Sequence, residues 1–200
     1  MLQSPENRPA LILASGSPRR RELLALLGRP FKVVVPEIDE TPRSDEDPRT
    51  FAQRMAKEKA HALSEEGIVI AADTIVVLEG KILGKPTDAA DAREMLCALS
   101  GRVHEVITGV CVKTPSRTTV FSVETEVVFR VLEEGEIRAY VESGEPMDKA
   151  GAYAIQSGAA PMIRAINGSY TNVVGLPLCE LQNVLATSDD SSPEIPDEIL

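Results

Sequence analysis

The chain has 200 residues, 43% of them hydrophobic, enough for one core of ordinary size. No apolar run reaches the ~20 residues of a membrane-spanning helix, and the opening MLQSPENRP lacks the basic-then-apolar build of a secretory signal. A net charge of −10, with aromatics at 4% and no Trp, argues against nucleic acid as a partner.

Residues 1–9 read as an N-terminal extension. Ala10 to Ala14 is a short apolar run suited to a buried strand, and Ser15, Gly16, Ser17 and Pro18 turn the chain at once. Leu23, Leu24 and Leu27 then recur at helical spacing up to Gly28, with Ser17 placed to cap the helix and Pro18 at its first position. A strand that passes through a glycine turn into a helix leaves unpaired N–H groups pointing outward, which suits an anion. Arg19, Arg20 and Arg21 stand in that first turn, where cations oppose the helix dipole. Two readings of the triplet stand, a phosphate site and a solvated basic helix start.

Phe31 to Val35 predicts a strand that runs into the acidic loop PEIDETPRSDEDP. Its acids, Glu37, Asp39, Glu40, Asp45, Glu46 and Asp47, read as turn residues, with one or two available to a hard divalent cation. Asp47-Pro48 opens a helix to about Leu63, and Phe51, Met55, Lys59 and Leu63 fall in one row. Lys59 therefore interrupts an apolar stripe, either snorkelling to the edge of the core or reaching a cleft. Ile68 to Leu78, IVIAADTIVVL, is the strongest strand and predicts a central position. Asp73 lies in its middle, where an ionised carboxylate costs several kcal/mol unless it is paired, metal-bound or at an accessible end. Thr74 faces the other side of a regular strand. Glu79-Gly80 reads as a hairpin turn. GKILGK, with Lys81 and Lys85, is not a phosphate-binding P-loop, because its glycines are one residue too close and Pro86 replaces the Ser/Thr.

Asp88 caps a helix bearing Ala92, Met95, Leu96 and Leu99, and Val103–Val112 with Thr119–Val131 reads as an antiparallel pair of strands. Glu134 to Ser143 predicts a helix. MDKAGAYAIQSG follows, a small-residue loop that either lets a ligand approach its backbone or merely connects. Met162–Ile166 reads as a strand, Asn167-Gly168 as a tight turn and Val173-Val174 as another short strand, and Pro177 opens a last helix with Leu178, Leu181 and Leu185 inward. Residues 10–186 form one predicted domain. The tail 187–200, with Asp189, Asp190, Glu194, Asp197 and Glu198, is polar and proline-broken and reads as disordered. Cys97, Cys111 and Cys179 are expected to be buried thiols of a reducing compartment, and His61 and His104 are too scattered for a zinc site. The class is α/β with a mixed sheet, and the expected location is cytoplasmic.

Seven blocks carry a family resemblance: ASGSPRR at 14–20, AADT at 71–74, GKP at 84–86, SGR at 100–102, DKAGAYAIQ at 148–156, INGSY at 166–170 and VVGLPL at 173–178. In this order and spacing the chain resembles the Maf, or septum-formation, family of nucleoside triphosphate pyrophosphatases over about residues 10–186. The resemblance implies hydrolysis between the α and β phosphates, giving a monophosphate and pyrophosphate. It also implies a divalent metal, Mg²⁺ or Mn²⁺, a homodimer, and a mixed twisted sheet with flanking helices in two lobes around a cleft, like inosine triphosphate pyrophosphatases. Ser15, Arg19, Arg20, Lys59 and Lys85 would hold phosphate, as a highly charged triphosphate requires. Asp73 would be the general base, a metal ligand, or both, and Glu40 would help hold the metal.

Three positions that follow base choice in the family are here Arg19, Thr74 and Gln156, which resembles the branch acting on dTTP and UTP, and modified pyrimidine nucleotides with them. A neutral amide such as Gln156 both accepts from uracil N3–H and donates to a ring carbonyl. Ala154 and Ser157 stand where the family often has glycine, a departure that bears on fine specificity. Two rival readings are the 7-methyl-GTP branch of the same family and a non-catalytic nucleotide-binding regulator of cell division.

Overall fold

A computed structural model describes residues 9–189. Its strands, β1 (Leu11–Ala14), β2 (Phe31–Val34), β3 (Ile68–Leu78), β4 (Lys81–Leu83), β5 (Val103–Lys113), β6 (Thr118–Phe129) and β7 (Ile163–Asn167), join in one sheet of order β2-β1-β3-β5-β6-β7. β4 hairpins back onto β3 through Glu79-Gly80, both at positive φ as a tight hairpin turn requires. β1, β2 and β3 run parallel and every other pairing is antiparallel, so the sheet is mixed as expected. β3 lies at the centre because it is apolar on both faces and needs helices on both.

Side-chain alternation along β3 sorts the helices. Val69, Ala71, Ile75 and Val77 face α2 (Pro48–His61) and pack on Ala52, Met55, Ala56 and Ala60. On the opposite face Ile68, Ile70 and Ala72 meet α1 (Pro18–Ala25) and α6 (Leu178–Asp189) through Leu23, Leu24 and Leu181. Further along that face Val76 and Leu78 meet α3 (Ala89–Leu99) and α4 (Glu134–Glu142) through Leu96, Leu99 and Ile137. Two separate apolar clusters on one face are the two lobes, and the cleft opens between them.

α2 lies unusually close to the sheet. Gly109 of β5 is the register partner of Asp73, and a Cβ there would sit 2.2 Å from the carbonyl oxygen of Ala52 and 2.6 Å from the amide of Gln53. The bare glycine backbone is what lets the helix seat at this height, and Gln53 Nε2 donates to Ser122 Oγ at 3.0 Å to fix it sideways. At its N-terminus Asp47 Oδ1 accepts from the Thr50 amide at 3.1 Å. Arg54 grips Glu46 with Nε and Nη2, each at 2.6 Å, and also donates to the Thr41 carbonyl, so the acidic loop is strapped down onto α2. The Arg54 hydrogen bonds hold the Glu46 carboxyl down to about 2.

Some sequence expectations fail here for identifiable reasons. Val173-Val174 is not a strand but the end of a helix, α5 (Tyr170–Val174). Ser169 caps it by accepting from the Asn172 amide at 3.2 Å, and Asn172, fully buried, donates from Nδ2 to the Val106 carbonyl and to Thr125 Oγ1, each at 3.0 Å. Those bonds outweigh the strand preference of two valines. Asn167-Gly168 accordingly leads into a helix rather than closing a hairpin. Of the three thiols only Cys111 is buried, since Cys97 and Cys179 lie on the outer faces of α3 and α6. The last helix runs to Asp189, past the predicted domain end at 186. Residues 1–8 and 190–200, with most of the extension and tail, lie outside the described residues.

Gly109→Ala is expected to destabilise the fold by about 3 kcal/mol, at the upper end of overpacking costs, because the clash is with helix backbone rather than a movable side chain. Gly135→Ala in α4, where a Cβ meets nothing within 4 Å, is the control and should stabilise by about 0.5–1 kcal/mol. Urea midpoints of the two variants check both signs.

Candidate active site

The cleft exists because two strands share one edge of β3 without meeting. β1 pairs with β3 only as far as Leu13↔Ile70, and β4 takes over at Leu83↔Val76. Between them Ala71 to Ile75 have no strand on that side, so residues from both faces of β3 reach one opening. Asp73 from the α2 face and Thr74 from the other both line a cavity of about 560 Å³, within the usual range for small-molecule sites.

Lys59 projects from α2 under this gap, and the cleft reading is the correct one for it. Its Nζ lies 2.6 Å from Asp73 Oδ1 and 3.0 Å from Glu40 Oε1, so one ammonium gathers two carboxylates. Lys59 and Asp73 are nearly buried, their side chains 10% and 13% exposed, whereas Glu40 is 55% exposed at the rim. Asp73 Oδ2 has no protein hydrogen-bond partner among the described residues. Of the six acids in the loop 37–47, Glu40 alone lines the cavity, while Glu46, Asp39 and Asp47 are spent on Arg54, Thr41 and the α2 cap.

The turn after β1 supplies the opposite wall. Ser15 Oγ accepts from the Ser17 amide at 3.2 Å, and Ser17 Oγ accepts from the Arg20 amide at 3.4 Å, which starts α1 at the cavity. The Arg20 side chain turns back and is held by neutral oxygens: Nε donates to the Gly175 carbonyl at 2.9 Å, Nη1 to Ser15 Oγ at 3.3 Å and Nη2 to Thr74 Oγ1 at 3.0 Å. Thr108 Oγ1 donates to the Asn172 carbonyl at 3.0 Å, which leaves it free to accept from Thr74 and leaves Thr74 to accept from Arg20. Among the described residues no carboxylate bonds this guanidinium. Burial lowers its pKa below the ordinary arginine value, against the opposing pull of Asp73.

Lys85, exposed beside the β4 hairpin, also lines the cavity and has no ion-pair partner among the described residues. Arg19 reaches only to 4.0 Å from Asp148. The loop 145–162 is a chain of short 3₁₀ turns that brings Asp148, Lys149, Tyr153 and Gln156 to the same opening. Gln156 is exposed and shares with Arg19 a smaller adjoining pocket lined by Leu23, Leu26 and Tyr170. All nine sequence-predicted residues, Ser15, Arg19, Arg20, Glu40, Lys59, Asp73, Thr74, Lys85 and Gln156, line one cavity. Lys149 was missed. Its Nζ contacts Asp148 Oδ1 and the Glu145 carbonyl, each at 2.6 Å, and the only signal in sequence was its place in the aperiodic small-residue loop.

Asp73 and Glu40 fit a hard divalent cation that takes one or two carboxylates and completes its shell with phosphate and water. Among the described residues no group of three or more His, Cys, Asp or Glu forms a self-sufficient metal cage. Five cations, Arg19, Arg20, Lys59, Lys85 and Lys149, line the cavity against three acids, Glu40, Asp73 and Asp148. In a chain of net charge −10, that local reversal of sign favours a polyanion at this one place.

The family model described as "Maf-like protein" matches residues 10–188. A protein of Geobacter metallireducens named dTTP/UTP pyrophosphatase is 54% identical over 92% of this chain and 97% of its own. Proteins of the same name from Shewanella oneidensis and Bacillus cereus are 50% and 49% identical, each over 88% of this chain and over 96% and 88% of their own. Among solved structures, the Ham1 protein of Staphylococcus aureus superposes with a TM-score of 0.52 at 16% identity, covering 90% of this chain and 99% of that one, which shows a shared fold.

The loop is tied to the sheet by His104, whose Nε2 lies 2.8 Å from the Tyr153 hydroxyl and whose ring meets Phe129 and Tyr153 edge-on. Burial pushes this imidazole down to about 4, against about 6.5 in an unfolded chain. The unfolded state therefore takes up the proton first as pH falls, so stabilisation is full above pH ~6.5 and is lost toward pH ~4. The expected loss between pH 7 and 4.5 is about 2.5 kcal/mol from this group. Urea unfolding at the two pH values checks it, and His104→Gln should show a clearly smaller drop; equal drops would remove His104 as the cause.

Proposed function

The chain belongs to the Maf-like protein family, and on that footing we propose that it is a nucleoside triphosphate pyrophosphatase that hydrolyses dTTP and UTP between the α and β phosphates. The observation that carries this reading is the half-buried Arg20, held among the described residues by neutral oxygens only, in one cavity with the Asp73–Lys59 pair. A guanidinium that has no carboxylate bonded to it keeps its full charge for a phosphate, and its orientation is settled before substrate arrives.

Arg20, Arg19, Lys85 and Lys149 would grip the phosphates, and the Ser15–Ser17 turn would add its hydroxyls and amides. Lys59 fixes Asp73 through Oδ1 and leaves Oδ2 to take a proton from a water placed beside phosphorus. The water oxygen then bonds to phosphorus as the bond to the bridging oxygen breaks, and pyrophosphate leaves with its charge met by the surrounding cations. When bound, a Mg²⁺ or Mn²⁺ ion held by Asp73 and Glu40 would supply further neutralisation of the phosphates. Thr74 would act through Arg20, to which its hydroxyl is committed, while Gln156 would read the pyrimidine by accepting from N3–H and donating to a carbonyl. The same family membership carries the proposals of a homodimer and a cytoplasmic location; no helix among the described residues is long and apolar enough to cross a membrane.

The test is a turnover panel of dTTP, UTP, CTP and 7-methyl-GTP with Mg²⁺, with phosphate products identified. dTTP and UTP should be preferred and pyrophosphate released. Orthophosphate as product would overturn the reaction, and preference for 7-methyl-GTP would overturn the substrate. Asp73→Asn should lower kcat by at least about 10²-fold while nucleotide binding persists, as expected for loss of a general base. A chelator should abolish turnover, and added Mg²⁺ or Mn²⁺ should restore it.

A further inference from the structure

Gln156 sits on a loop without regular secondary structure, yet a base-reading amide must be held to a fraction of an ångström. It makes no hydrogen bond of its own among the described residues, so its position is set by its neighbours in the chain. Two residues before it, the Ala154 amide donates to the Tyr140 hydroxyl at 3.3 Å. That hydroxyl donates to Glu145 Oε1 at 3.0 Å. On the other side of Gln156, Ser157 Oγ donates to the same Oε1, and the Gly158 amide donates to both carboxylate oxygens at 3.2 Å.

We propose that Tyr140 and Glu145 are positioning residues for base selection, a clamp that holds the backbone on both flanks of Gln156 and so fixes where its amide meets the pyrimidine. The proposal rests on the reading that Gln156 contacts the base. Tyr140 comes from α4 and is 7% exposed in the core, so this half of the clamp is anchored in the α3–α4 lobe. Glu145 belongs to the first 3₁₀ turn after α4, and its carbonyl is held in turn by Lys149 Nζ at 2.6 Å. Gly158 is part of the fit, because a Cβ there would sit 2.8 Å from Glu145 Oε2 and 2.9 Å from the Tyr140 ring. Burial works to raise the Glu145 pKa, but the hydrogen bonds from Ser157, Tyr140 and Gly158 prevail and lower it, which keeps all its oxygens acceptors near neutral pH. The Ser157 hydroxyl adds a bond to the clamp that a glycine there would lack.

Charge-assisted bonds to a carboxylate are among the stronger ones, so their loss should be read in selectivity. Tyr140→Phe and Glu145→Ala are each expected to raise KM for dTTP and UTP and to lower the kcat/KM ratio of dTTP over CTP by about tenfold, with the smaller part of the loss in kcat. Ser157→Gly should move the same ratio by about threefold, and Glu145→Gln, which keeps acceptor oxygen, should recover part of the loss. In amide hydrogen exchange, Ala154 and Gly158 should exchange faster in Tyr140→Phe while β3 does not, a readout that general destabilisation would not give. Gln156→Ala separates the two claims. If it collapses the ratio while Tyr140→Phe and Glu145→Ala leave it in place, the clamp is wrong and the reading of Gln156 stands. If Gln156→Ala itself leaves the ratio in place, the base-reading role falls and the clamp's purpose falls with it.

Discussion

The site depends on a lysine and an aspartate that neither helix nor strand would tolerate alone. Lys59 lies within an apolar helix face and Asp73 within an apolar strand, and Asp73 would carry an uncompensated charge in that strand without Lys59. Their contact at 2.6 Å requires α2 to lie almost on the sheet, and Gly109, opposite Asp73 on β5, is what permits that approach. A backbone without a side chain thus sets a helix height, and the helix height sets a charge pair. The pair then holds one carboxylate oxygen and leaves the other free in a cavity.

Two arginines in this chain show how the same side chain serves different ends. Arg54 is neutralised by a bidentate contact with Glu46, and its role is to strap the loop 37–47 to α2 and so bring Glu40 to the rim. Arg20 is fixed just as firmly, but by a carbonyl and two hydroxyls. Neutral acceptors settle its geometry without cancelling its charge. Since burial already works against that charge, an incoming anion gains both the Coulomb attraction and the relief of a poorly solvated cation. The contrast distinguishes a structural guanidinium from a binding one more sharply than exposure does.

What could be read from sequence was what leaves a local pattern. Asp73 breaks an apolar strand and Lys59 breaks an apolar helix row, and both anomalies point to the cavity. Ser17-Pro18 announces the helix that carries Arg20, and the hydrogen bond to the Arg20 amide confirms it. The acidic loop shows the limit of such patterns, since six acids look alike in sequence and only the packing of Arg54 decides which one reaches Lys59. Val173-Val174 was misread for the same reason: a buried Asn172 bonded to β5 and β6 fixes the local conformation, and those partners lie more than forty residues away. Cys97 and Cys179 have apolar neighbours along the chain, but helical spacing turns both outward. Lys149 and the Tyr140–Glu145 contacts left no periodic trace, because an aperiodic loop takes its shape from side chains of another element.

The split edge of β3 explains how one small sheet hosts both halves of the chemistry. A regular strand segregates its neighbouring side chains to opposite faces, so Asp73 and Thr74 would ordinarily open onto different surfaces. Here β1 ends before them and β4 begins after them, and the uncovered edge merges the two faces into one opening. The α2 face contributes the acid and its lysine, and the α1 face contributes the arginine through Thr74. The ladder on that edge of β3 is interrupted between β1 and β4, and the gap is where the phosphates of the proposed substrate would lie. The loop 145–162, hung from the α3–α4 lobe, then covers the remaining side with Lys149 and Gln156, so one loop brings a cation and the proposed base-reading amide to the opening together.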